Sequence, residues 1–330
     1  MGCGLEGIGF LGTASAVPDN VVTNADLERM VDTSDEWIVS RTGIRERRIA
    51  DANTTTGDLS LKAAKQIMEE TGVKATDLDT IILATITPDY VFPSTACLIQ
   101  SALGAENASA FDMEAGCTGF IYASILGASL IKAGVSKYVL SIGAETLSKI
   151  TDWEDRGTCI LFADGAGCAL LGKVEEDCGI LAYSMSADGG KGLELCMPAG
   201  GSRNPATLET VKARDHFIHM NGNEIFRFAV AVVPKEVYKL VSSAGIEIAD
   251  IDYFLFHQAN YRIINSARKR LKVPQEKILM NLDKYGNTSA ASIPLLLDQE
   301  VKNGTIKRGD LLCLVGFGAG LTYGGLLVRF

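Results

Sequence analysis

An eight-residue segment, Gly72-Val73-Lys74-Ala75-Thr76-Asp77-Leu78-Asp79, returns 173 residues later as Gly245-Ile246-Glu247-Ile248-Ala249-Asp250-Ile251-Asp252, and each copy leads into an apolar run. Further along, Gly116-Cys117-Thr118 is matched by Gly286-Asn287-Thr288, and Ile131-Lys132-Ala133-Gly134 by Val301-Lys302-Asn303-Gly304, both 170 residues on. The next apolar runs close on Gly143 and Gly316, again 173 residues apart. Four correspondences in one order, at nearly constant spacing, mark a duplicated unit. In a chain of 330 residues they set the halves at about 1–174 and 175–330. Two copies of one unit bring their equivalent turns towards a pseudo-twofold axis. Residues distant in sequence can then share a cleft at the ends of sheet strands.

Short apolar runs alternate with longer helical patterns. Thr80–Thr85, Ala110–Met113, Tyr138–Ile142, Tyr253–Phe256 and Leu311–Val315 read as buried strands; Leu59–Glu70, Phe120–Ala133 and Ile293–Lys302 read as amphipathic helices. This alternation predicts a layered α/β fold whose sheets are covered on both faces. With 47% hydrophobic and 22% charged residues the chain can offset its ordering entropy by burial, which excludes disorder. A formal charge of −9 excludes a nucleic-acid partner, because phosphate binding needs clustered Lys and Arg. Ala14-Ser15-Ala16 imitates a signal-peptidase site, but Glu6 stands where positive charge belongs, and Gly9 and Gly12 break the run. Residues 7–18 therefore read as a first buried strand. No run reaches the ~18 apolar residues of a spanning helix, so a cytoplasmic protein without membrane contact is expected. Eight cysteines, Cys3, Cys97, Cys117, Cys159, Cys168, Cys178, Cys196 and Cys313, are scattered without a C-x-x-C pair. Neither a metal site nor a disulfide framework is expected, and most should be small core residues.

Three polar residues stand out. Met113-Glu114-Ala115-Gly116-Cys117-Thr118-Gly119-Phe120 runs from a strand end through a glycine-flanked turn into a helix. A thiol there sits at a helix N-terminus, whose partial positive charge favours thiolate; a packing cysteine is the competing reading. Of three histidines, His216 and His219 alternate with apolar residues in a predicted strand, which favours structural roles. His257 directly follows the buried strand Tyr253–Phe256 and opens the polar cluster His257-Gln258-Ala259-Asn260. Asn287, in Tyr285-Gly286-Asn287-Thr288-Ser289-Ala290-Ala291-Ser292, occupies the position of Cys117 in the second copy, although Asn also serves as a plain turn residue. Gly316-Phe317-Gly318-Ala319-Gly320 is a second glycine loop, able to present backbone N–H groups or simply to turn the chain.

Ala115–Phe120, His257–Asn260, Gly286–Ala291 and Phe317–Gly320, with Asp32-Thr33-Ser34-Asp35-Glu36-Trp37-Ile38 and Arg41-Thr42-Gly43-Ile44-Arg45-Glu46-Arg47, resemble the beta-ketoacyl-acyl-carrier-protein synthase III family from about Ile8 to Phe330. The resemblance implies a thiolase-like α-β-α-β-α fold, a homodimer, and a Cys–His–Asn triad at Cys117, His257 and Asn287. It also implies acyl transfer from acyl-CoA to the thiol, then decarboxylative condensation with malonyl-acyl carrier protein in type II fatty-acid synthesis, with no resident cofactor or metal. Matched residue by residue, the backbone N–H groups of Cys117 and Ala319 form the oxyanion hole. Thr33, Trp37, Arg41 and Arg156 surround the CoA nucleotide, and Asn223 and Asn260 contact its pantetheine arm. Phe92 matches an aromatic that limits the primer pocket of the neighbouring subunit, which hints at a short primer such as acetyl.

A basic island, Arg262, Arg268, Lys269, Arg270 and Lys272, interrupts the acidic chain after the His257 cluster. Arg262, Lys269 and Arg270 are candidates for steering an acidic carrier protein, against the plainer reading of a solvated helix face. Three other readings compete. A papain-like hydrolase also orders Cys, His and Asn, but the C-G-[SA]-C-[WY] signature is missing. A degradative thiolase needs a second catalytic Cys, which Gly316–Gly320 lacks. Related condensing enzymes of secondary metabolism share the triad.

Overall fold

The apolar runs read from the sequence form the centres of two sheets in a computed structural model describing residues 4–175 and 177–330. Cys3 lies outside the described residues. In the first sheet the strands lie in the order Ile8–Ala16, Asp164–Lys173, Val139–Thr146, Thr80–Ala84, Ser109–Met113. The first two pairings are antiparallel and the last two parallel. The second sheet runs Gly179–Ala187, Thr322–Arg329, Leu311–Gly318, Tyr253–Phe256, antiparallel twice and then parallel. Strand for strand this repeats the first sheet. Where the first sheet has its fifth strand, the second keeps a single parallel bridge between Phe254 and Ile278.

Helices Gly119–Lys132 and Ser292–Lys302 lie between the sheets and contact both. Thr56–Thr71 and Thr95–Leu103 cover the outer face of the first sheet; Gly222–Ala244 and Tyr261–Leu271 cover that of the second. The result is five layers: one apolar cluster encloses the central helices and the inner faces of both sheets, and one lies under each outer helix layer. A helix between two sheets must be apolar on most of its circumference, and Gly119–Lys132 buries Phe120, Ile121, Ala123, Ile125, Ala128 and Ile131 around its axis. Each large apolar side chain buried in this way contributes about 1.5–3 kcal/mol.

Local signals set the outer elements. Thr55 caps Thr56–Thr71 in a reciprocal box with Asp58, and Gly72 at φ 69° ends it. The seven described cysteines are free thiols; Cys159, Cys168 and Cys313 are buried, whereas Cys97 is exposed. The strand expected across His216 and His219 is confined to His219–Met220, paired with Leu195–Cys196. Arg214 adopts a left-handed φ of 64° and its guanidinium pairs with Asp152, turning the chain before His216. His216 instead bonds the Thr210 hydroxyl at 2.9 Å. Among the described residues, no helix is long and apolar enough to cross a membrane.

Candidate active site

Strand Ser109–Met113 delivers the chain into a tight turn, Gly116–Thr118, from which helix Gly119–Lys132 starts. Glycines make the turn possible at two places. Gly116 has φ 50°, and a Cβ there would lie 2.8 Å from the Ala319 nitrogen. A Cβ on Gly318 would lie 2.5 Å from the Cys117 nitrogen. The end of strand Leu311–Gly318 is thus pressed against the cysteine turn, which brings the Cys117 and Ala319 backbones close together. Thr322 fastens the same junction, donating to the Ala115 carbonyl at 2.6 Å and bonding the Thr118 hydroxyl at 3.0 Å. The strand expected to end near Val315 runs on to Gly318, so the turn proper begins at Ala319. Burial pushes the Cys117 thiol up to about 12, and the Ser289 hydroxyl is its hydrogen-bond partner.

His257 comes from the other half. Its backbone N–H donates to Val315 at 2.9 Å, which places it at the end of the parallel strand pair. The ring stands edge-on to Phe317, with centroids 5.1 Å apart, and its Nδ1 is 2.7 Å from the Ser292 hydroxyl. Burial without a charged partner drives its pKa down to about 3, so the imidazole is neutral at neutral pH.

Asn287 is held by its backbone between Leu161 and Ala163. Its N–H donates to Leu161 and its carbonyl accepts from Ala163, both at 2.9 Å. Its side-chain Oδ1 accepts the Ser289 N–H at 2.9 Å. That bond uses the acceptor end of the carboxamide and leaves the NH2 donors for the cavity.

Cys117, His257 and Asn287, drawn from both halves, line one cavity of about 290 Å³ together with Phe317 and Gly318. Cys117 also lines a second, more apolar cavity of about 530 Å³ walled by Ile86, Leu147, Ile150, Ile218 and Ala319. The thiol therefore stands where an approach tunnel meets a more apolar chamber. Two neutral hydrogen-bond donors face it, an arrangement suited to stabilising negative charge on a thioester oxygen.

The expected outer contacts divide. Arg41, Asn223, Asn260 and Arg262 line the tunnel. Ser34 caps helix Asp35–Thr42, which sets Trp37 and Arg41 one turn apart on one face. Trp37 is flanked by the guanidinium groups of Arg41, 5.6 Å from its ring centroid, and Arg156, at 4.9 Å. Thr33 carries a buried hydroxyl without a partner. The Asn260 side chain is already engaged, accepting from Arg262 N at 2.7 Å and donating to the Arg41 carbonyl at 3.0 Å. It ties the Trp37 helix to the His257 loop as well as lining the tunnel. Phe92 is 84% exposed and lines neither cavity of its own chain. Of the basic island only Arg262 reaches the tunnel mouth, over the ring of Phe226. Lys269 is exposed further along the helix, Arg270 bonds the Val230 carbonyl, and Arg268 folds back on Asn265 and Val273.

Sequence reasoning missed Ser289, Ser292 and Glu145. Both serines lie in the quoted Asn287 motif, and their side-chain partners come from distant strands. Glu145 is an acidic residue continuing the apolar run Tyr138–Ile142, which was a signal in itself.

Residues 111–189 match the family described as 3-Oxoacyl-[acyl-carrier-protein (ACP)] synthase III, and residues 241–330 match its C-terminal counterpart. A Beta-ketoacyl-[acyl-carrier-protein] synthase III from Natranaerobius thermophilus is 55% identical over 324 residues, covering 97% of this chain and 98% of the relative. The crystal structure of 3-oxoacyl-[acyl-carrier-protein] synthase III from Aquifex aeolicus VF5 superposes with a TM-score of 0.91 at 45% identity, covering 98% and 100% of the two chains. A priming beta-ketosynthase of the R1128 polyketide pathway superposes with a TM-score of 0.89 at 34% identity, covering 98% and 96%. The papain-like reading fails, since thiol and carboxamide occupy equivalent turns of a duplicated fold and the full-length relatives are synthases. Matched along almost its whole length by such synthases, the chain belongs to the 3-oxoacyl-[acyl-carrier-protein] synthase III family of acyl-transferring condensing enzymes.

Proposed function

We propose that the protein starts type II fatty-acid synthesis by moving a short acyl group, acetyl first, from CoA to Cys117. It then condenses that group with malonyl-acyl carrier protein, giving 3-ketoacyl-acyl carrier protein, CoA and carbon dioxide. The observation that carries this reading is a thiol at the meeting of two cavities, faced by a neutral imidazole and a carboxamide NH2.

In the first half-reaction the Cys117 sulfur attacks the thioester carbonyl, and the oxyanion is received by the backbone N–H groups of Cys117 and Ala319. Losing one such donor costs on the order of 3 kcal/mol. In the second, loss of carbon dioxide leaves a carbanion whose charge spreads to the thioester oxygen as an enolate. His257 and Asn287 each donate a hydrogen bond to that oxygen, and the carbanion attacks the acyl-Cys117 carbonyl. No base needs to remove a carbon-bound proton, in keeping with a histidine that stays neutral.

Trp37 between Arg41 and Arg156 suits a purine ring with phosphates nearby, with Thr33 beside them and Asn223 and Asn260 along the pantetheine arm. Arg262, with Lys269 and Arg270 behind it, forms the docking surface for the acidic carrier protein. Val91 and Phe92, 92% and 84% exposed, form an apolar edge that supports a homodimer, in which Phe92 bounds the partner's primer chamber. The reading places the enzyme in the cytoplasm, without a resident cofactor. Identity to the Natranaerobius thermophilus synthase III, 55%, exceeds the 34% to the polyketide priming enzyme, which favours primary metabolism. Turnover of a panel of acyl-CoAs with malonyl-acyl carrier protein tests it. Acetyl-CoA should give 3-ketobutyryl-carrier protein, whereas condensation only with long or aromatic primers would reject the primer assignment.

A further inference from the structure

Glu145 is fully buried at the end of strand Val139–Thr146. Among the described residues no cation pairs with it. Its carboxylate is held by donors alone: Thr85 hydroxyl at 3.1 Å, Thr87 hydroxyl at 2.6 Å, Ile86 N–H at 3.1 Å, and Ser289 hydroxyl at 3.2 Å. A buried carboxylate without a counter-charge is costly. The chain that leads away from it is short. Ser289, held at a left-handed φ of 48°, places its hydroxyl between the Glu145 Oε1 and the Cys117 thiol.

The other charged groups nearby are engaged or turned away. Asp164 on the adjacent strand accepts from Ser148 and Ala50, Asp89 beyond Thr87 accepts from Gly57, and Asp112 accepts from Thr95 and Ala96. Asp58 is spent on its helix cap, Glu114 is exposed, and Lys149 bonds the Ala52 carbonyl. His257 lines the other side of the thiol and bonds Ser292. Cys117 is the ionisable group that faces Glu145 through Ser289.

We propose that Glu145 accepts the Cys117 proton during acyl loading, through the hydroxyl of Ser289. This rests on the assignment of Cys117 as nucleophile. As the sulfur–carbonyl bond forms, the thiol proton passes to Ser289 Oγ and the proton of that hydroxyl passes to Glu145. When the tetrahedral intermediate collapses, the bond to CoA sulfur breaks, and the proton returns by the same path to the departing thiolate. The net change is one proton moved from Cys117 to CoA, and no further reactant is needed. Burial raises the Glu145 carboxyl to about 7, which lets it both accept and return a proton at neutral pH.

The test is the single-turnover rate of Cys117 acetylation by acetyl-CoA, followed by mass spectrometry across neutral pH. The wild-type rate should rise through one ionisation near pH 7. Glu145→Gln should erase that inflection and slow loading roughly 10²-fold, while Glu145→Asp should keep the inflection. Ser289→Ala should reproduce the loss with Glu145 in place, and it serves if Glu145→Gln does not fold. A solvent deuterium isotope effect on wild-type loading should shrink in both variants. Loading at the wild-type rate with an unchanged pH profile in Ser289→Ala or folded Glu145→Gln overturns the relay. A wild-type enzyme that never acetylates Cys117 overturns the nucleophile assignment itself.

Discussion

The Nδ1 of His257 lies 2.7 Å from the Oγ of Ser292, in a fully buried pair. Ser292 Oγ also lies 3.4 Å from the Gln258 N–H, which can only donate. A serine hydroxyl that donates to Nδ1 puts the imidazole proton on Nε2, the tautomer that donation to the enolate requires. Ser292 is a positioning residue in this arrangement. Ser292→Ala should leave acetylation of Cys117 intact but slow decarboxylation of malonyl-carrier protein roughly tenfold, less than the ~10²–10³ for removing a donor outright. The ring ¹⁵N shifts of His257 should show the tautomer mixture that follows. Equal slowing of both half-reactions, with those shifts unchanged, would remove the positioning role.

Asn287 offers its NH2 to the cavity because its oxygen is taken by the Ser289 N–H at 2.9 Å. Asn287→Ala should still load acetyl but fail to form the carbon–carbon bond, with condensation down by roughly 10²-fold or more. Asn287→Asp should be worse, since a carboxylate accepts where donation is needed and repels the malonyl carboxylate. Quench-flow separation of loading from condensation reads both; normal product formation by Asn287→Ala would contradict the enolate role.

Two buried groups set opposing pH slopes on stability. The folded chain raises Glu145 from 4.5 to about 7, so its contribution is present below pH 4.5 and is lost as pH rises through about 7. It depresses His257 from 6.5 to about 3, so that contribution is present above pH 6.5 and is lost as pH falls towards 3. Between pH 4.5 and 6.5 the two offset each other. Glu145→Gln removes one, so the variant should gain stability relative to wild type by about 1.4 kcal/mol per pH unit across the Glu145 window. Urea midpoints measured at several pH values check this, and a difference independent of pH would refute it.

Arg262 stands at the tunnel mouth and Lys269 further along the same exposed helix. Replacing both with Glu should raise KM for malonyl-carrier protein at low salt by tenfold or so, mainly through a slower association rate. Acetylation by acetyl-CoA should be spared. Equal loss of both activities would argue against docking on this helix.

The duplication was legible because each half must build the same sheet from the same order of strands, and the apolar runs that do so fall at a fixed offset. Cys117, His257 and Asn287 were legible for the same reason: they sit at strand ends and equivalent turns, where polar residues interrupt apolar patterns. Ser289, Ser292 and Glu145 were not, because each acts through a partner between 35 and 144 residues away in sequence. Short-range pattern carries no record of such pairs. Charge spacing alone also does not show that Arg268 turns back on its own helix end, whereas Arg262 lines the tunnel.

Peptide mass spectrometry after brief incubation with acetyl-CoA, before any malonyl-carrier protein is added, goes to the centre of the matter. One acetyl group should appear on the peptide containing Cys117, and Cys117→Ala should carry none and make no 3-ketoacyl product. Acetyl on another residue, or product formed by Cys117→Ala, would contradict the assignment of that thiol as the nucleophile.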